Sequence, residues 1–108
     1  MASPGNSNTS ILWYTDSVDR PVKRMKSKVG LAFPSWTVRL PSDSLCDLTA
    51  TQNVGGRYAN HIPIASVCTV GATASTATGE FVHIEQAIEA RSSANYALWS
   101  EAVLNSFP

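Results

Sequence analysis

The thirty residues from Gly79 to Pro108 carry more apolar surface than two helices on a small monomer can hide, and that excess limits what the chain can become. In the first segment Phe81, Ile84, Ile88 and Arg91 recur at i, i+3, i+7 and i+10, with Val82 and Ala87 beside the stripe. Glu80, Glu85 and Glu89 take the other side, the pattern of an amphipathic helix with acid facing water. Thr78 and Gly79 suit cap positions before it; Ser92 and Ser93 interrupt the pattern, and either can cap the next segment. That second segment sets Tyr96, Trp99, Val103 and Phe107 in one stripe and spreads Ala94, Ala97, Leu98, Ala102 and Leu104 over the rest, with Glu101 its only charge. A helix apolar most of the way round is buried on several sides, yet chain ends usually lie at a surface. A second copy of the chain resolves the conflict. The expected dimer interface is then Phe81, Ile84, Ile88, Tyr96, Trp99 and Val103, the alternative being an ordinary core helix lying on a sheet.

Charge is segregated although it sums to zero. Eight basic and eight acidic residues cancel. Yet Arg20, Lys23, Arg24, Lys26, Lys28 and Arg39 fall in one stretch without an acid, whereas Glu80, Glu85, Glu89 and Glu101 face only Arg91 after Gly79. Opposite fields on two parts of a small fold point to a polyanionic partner for the basic part; a solvated basic hairpin is the plainer alternative.

Along the chain, residues 1–10 read as a mobile arm and Ile11–Tyr14 as the start of a strand. From Arg24 the pattern alternates: Arg24, Lys26, Lys28, Gly30 and Ala32 on one face; Met25, Ser27, Val29, Leu31 and Phe33 on the other. Pro34-Ser35 is a tight turn, and Trp36, Val38 and Leu40 then oppose Thr37 and Arg39. Paired as a hairpin, the two runs give an apolar face and a cationic one. Pro41–Gly56 reads as a long polar loop of the kind used for function or assembly. Arg57–Ala74 reads as a long strand with Pro63 at its edge. The expected fold is therefore one α+β domain over 1–108: an antiparallel β-sheet region over 11–74 with the loop 41–56, then two C-terminal α-helices over 79–108 that cross onto the partner subunit.

Chemistry is sparse. His61 and His83 have no metal-ligand spacing, and Cys46 and Cys68, far apart and without a C-x-x-C, read as a reduced intracellular pair. No nucleophile elbow, P-loop or dinucleotide fingerprint occurs. Gly55-Gly56-Arg57 is a plain turn or a small anion nest. Residues 1–10 lack the character of an export leader, and no apolar run approaches the ~18 residues of a membrane span. No enzyme, cofactor or metal is expected.

Taken in order, the motifs resemble those of the coat proteins of the single-stranded RNA bacteriophages, the leviviruses. Glu80-Phe81-Val82-His83-Ile84-Glu85-Gln86-Ala87 and then Trp99–Pro108 are similar to that family's helix, polar link and closing helix. Arg57-Tyr58-Ala59-Asn60 is similar to its last strand, and Lys28-Val29 with Trp36-Thr37-Val38-Arg39-Leu40-Pro41 to its central strands. Gln52-Asn53-Val54-Gly55-Gly56 resembles the loop around its shell axes. The resemblance implies an interlocked homodimer that assembles into a quasi-equivalent icosahedral shell, a virion component formed in a bacterial cytoplasm. Its partners would be other copies, single-stranded RNA and a phage maturation protein. RNA would meet Arg24, Lys26, Lys28, Thr37, Arg39, Tyr58 and Asn60 on the inner sheet face, and Cys46, Gln52, Asn53, Gly55 and Gly56 would join dimers. Gly30 and Ala32 stand where that family places small polar residues, which favours non-specific packaging over recognition of one hairpin. Two rival readings are a small non-viral dimeric nucleic-acid-binding protein and an α+β enzyme or ligand carrier with a pocket between helices and sheet.

Overall fold

Pro21 opens the first helix that is described over its whole length. The computed structural model describes residues 14–43, 53–73 and 78–107, and in it α1 spans Pro21–Ala32. Proline's fixed φ suits the first helical turn, where its missing N–H costs nothing. Arg20 stands before it in extended conformation, and its carbonyl accepts from the Lys23 and Arg24 N–H groups. Val22, Met25 and Val29 fall at i, i+3 and i+7 and are buried, with Phe33 continuing the row just past the helix. Pro34 cannot extend the helix; the chain turns instead, closed by Trp36 N–H on the Phe33 carbonyl at 3.0 Å.

The expected sheet is overturned here. The residues read as an alternating strand from Arg24 to Phe33 form a helix, which is why Leu31, assigned to the apolar face with Met25 and Val29, is 74% exposed. Among the described residues there is no sheet: three helices and short 3-10 turns hold the regular structure, so the α+β class and the interlocked sheet dimer are withdrawn. Residues 37–40 do run extended, with Leu40 buried and Val38 packed on the core, but they form no strand.

Two further expectations give way. The stretch read as the strand Arg57–Ala74 begins inside α2, Val54–Ala59, and continues through turns: His61 is left-handed (φ 64°), and a 3-10 turn spans Ile64–Ser66 after Pro63. Phe81–Ala87, read as the first C-terminal helix, is extended, and only Ile88–Arg91 coils, as a 3-10 turn. β-Branched Val82 and Ile84 suit an extended backbone, and both pack against the core. Gly79, at φ 80°, takes the sharp bend before them, a conformation costly for any residue with a Cβ.

The closing helix, α3, spans Tyr96–Leu104 after a 3-10 turn at Ser93–Asn95 that Ser92 caps by accepting from Ala94 N–H. It packs across α1. The core joins Tyr14, Val22, Met25, Val29, Phe33, Leu40 and Ala102, with Trp36, Trp99 and Phe107 against it. Phe33 and Trp36 stack at 3.7 Å between centroids, and Trp99 meets both at a tilt, 5.9 and 6.0 Å away. Arg24 clasps the helix pair by donating from Nε to the Ser106 carbonyl at 2.8 Å. Buried Ser106 in turn donates its hydroxyl to the Ala102 carbonyl at 2.6 Å.

Candidate functional site

The residues expected to form one cationic face meet different surroundings. Arg24 is held by the Ser106 carbonyl and by Asp19, 2.7 Å away. Lys26 Nζ reaches Asp43 Oδ2 at 2.6 Å. Asp16 takes both Arg20 and Lys23. Those two hydrogen-bonded cations, Arg20 first, hold the Asp16 carboxyl far below its ordinary range. At Asp43 burial pushes upward, and the Leu40 N–H, the Lys26 ammonium and the Arg39 charge together outweigh it, leaving the carboxyl lowered. Four of the six clustered bases are thus paired within the chain by three aspartates that flank the acid-free stretch. Lys28 remains exposed on α1 with no ion pair to a described residue, Thr37 is exposed, and Arg39 is half-buried.

Tyr58 and Asn60 part company. Tyr58 is exposed on α2, whereas Asn60 is a buried structural pin. Its Nδ2 donates to the Gly56 carbonyl at 2.7 Å and its Oδ1 accepts from the Thr78 N–H at 2.6 Å. Arg57 is buried and donates from Nη1 to the Val67 carbonyl at 3.0 Å, so Gly55-Gly56-Arg57 is helix and not an anion nest. Asn53 caps α2 by accepting from Gly56 N–H at 3.0 Å. Asn53, Gly55 and Gly56 therefore begin a helix instead of ending a loop. Cys46 and Gln52 lie outside the described residues.

The six expected dimer residues divide by exposure. Ile84 and Trp99 pack inward on the core and Phe81 is half-buried. Ile88, Tyr96 and Val103 face out; Tyr96 is 60% exposed. Leu98 and Leu104 also lie open on α3, Leu104 at 75%. Between α3 and the extended segment runs an open groove of about 480 Å³, lined by Ile84, Gln86, Trp99, Ser100, Val103 and Leu104. Among the described helices α3 exposes the most large apolar side chains, with Glu101 its only charge. Leu98 and Leu104 were legible as part of the over-apolar helix; only their outward position was not.

Among the described residues no group of three or more metal-ligating side chains gathers, and no helix is long and apolar enough to cross a membrane. No family model matches the chain, and no curated protein or solved structure is significantly similar to it.

Proposed function

We propose that this protein is a self-associating structural subunit, an assembly protein and not a catalyst. The observation that carries this reading is α3, where Val103 and Leu104 stand in solvent and line an apolar groove, with Tyr96 exposed on the same side and Leu98 on the opposite flank. Exposed apolar side chains grouped beside such a groove mark a contact surface. A second copy is the occupant that the charge distribution favours. Residues 14–43 hold six bases against three acids, and residues 78–107 four acids against one base, so two copies can set base-rich against acid-rich surface.

The coat-protein role implied by the resemblance is the finer form of the same proposal: associated copies assemble further into a shell around single-stranded RNA. Charge segregation supports it. The helical architecture withdraws the sheet floor on which that family lays its RNA, so nucleic acid would meet Lys28 and the outward side of α1. Sedimentation over a concentration series, with electron microscopy of the same samples, tests both levels. Dimers or larger species that Val103→Gln with Leu104→Gln dissociates are expected, and uniform particles containing RNA would establish the finer form. A protein that stays monomeric at high micromolar concentration rejects self-association.

A further inference from the structure

A second hollow adjoins Trp99 and shares only Gln86 and Trp99 with the α3 groove. It encloses about 340 Å³ between Trp36 to Arg39 and the stretch from Glu85 to Ala90. That volume suits a small molecule or one long side chain. Phe33 covers one face of the Trp36 indole, stacked within 4° of parallel, and the Trp36 and Trp99 rings lie 6.0 Å apart. The Trp99 N–H is spent on the Ala90 carbonyl at 3.1 Å, so the ring is fixed by its edge.

The charges around these rings are unequal. Glu85 and Glu89 both line the hollow, both are exposed, and neither pairs with a base among the described residues. Arg39 lines it too, the one base against two carboxylates, so the lining keeps a net negative charge. Two carboxylates without partners beside two indoles favour a cation with an apolar coat. The ring quadrupole attracts positive charge, and the carboxylates add attraction that a bulky ammonium accepts without losing a tight hydration shell.

We propose that this cleft binds an organic cation of the quaternary alkylammonium class, from a free small molecule or from a methylated lysine side chain. The inference does not rest on self-association, because the hollow's walls, Gln86 and Trp99 apart, are not those of the α3 groove. The test is titration of the ¹⁵N-labelled full chain, following indole N–H resonances, with choline, with its uncharged isostere 3,3-dimethylbutan-1-ol and with a trimethyllysine peptide. Saturable shifts of the Trp36 and Trp99 signals by choline or the peptide are expected, with the neutral isostere at least about tenfold weaker. The tighter of the two cationic probes identifies the source. Glu85→Gln with Glu89→Gln, both surface changes, should weaken the cation about tenfold and leave the isostere unchanged. Equal binding of choline and its isostere, or no saturable shift with either cation, overturns the proposal.

Discussion

Met25 and Leu31 are six residues apart, so an alternating strand puts them on one face and a helix does not. In the structure Met25 is 1% exposed within the core and Leu31 points to solvent. Met25→Ala removes three methylene-sized groups, about 2.4 kcal/mol at about 0.8 kcal/mol each. Incomplete collapse around the gap adds about 1 kcal/mol if some 40 Å³ stays open at about 24 cal/mol per Å³. The expected loss is about 3 kcal/mol, a large share of a domain's stability of about 5–15 kcal/mol. Leu31→Ala should stay within about 0.5 kcal/mol of the parent, as surface changes do. Urea unfolding followed by circular dichroism at 222 nm separates the two. With a slope of about 1.5 kcal/mol per molar, Met25→Ala lowers the midpoint by about 2 M and Leu31→Ala barely moves it. If both variants fall by similar amounts, the segment is a strand and the helical account of residues 21–32 is wrong.

Gly30→Ala should stabilise by about 0.5–1 kcal/mol, because a Cβ there meets nothing within 4 Å and the site is inside α1; a lower thermal midpoint would contradict this. Asn60→Ala should cost about 2–3 kcal/mol by leaving the Gly56 carbonyl and the Thr78 N–H without their partner, and an unchanged unfolding curve would mean the pin carries no weight. Asp43 titrates below its ordinary value in the folded chain, so its contribution is present above the unfolded pKa of about 3.9 and is lost as pH falls through the folded value. Thermal midpoints should therefore drop on acidification below about pH 4, with a shallower fall in Asp43→Asn; identical slopes in the two proteins would place the acid sensitivity elsewhere.

The main misreading has a numerical cause. Met25, Val29 and Phe33 are spaced by four, which satisfies a period of two and a period of 3.6 equally. Val22 and Leu31 decide between them: Val22, three residues before Met25, is buried, and Leu31, six residues after, is not. Pro21 at the helix start is the local signal that favours the longer period. The ion pairing of the bases was hidden for a related reason. Asp16, Asp19 and Asp43 lie just outside the acid-free stretch, and only folding brings them onto Arg20, Lys23, Arg24 and Lys26. The closing helix was more legible, since Tyr96–Leu104 has no competing alternation and Ser92 precedes its first turn. Phe81, Ile84 and Ile88 matched a helix in spacing, but Val82 and Ile84 both lean on the core, which an extended backbone allows for residues two apart.

Asn60 also bears on how the chain tolerates added length. Its side chain ties the end of α2 to Thr78, eighteen positions onward, so the intervening backbone is closed at its base by hydrogen bonds. Once such a ring is shut, doubling its contour costs only about 0.6 kcal/mol of closure entropy. The exposed turn at Cys68–Val70 is therefore where a foreign peptide, an epitope tag or a protease site can be spliced in while the helix pair stays intact.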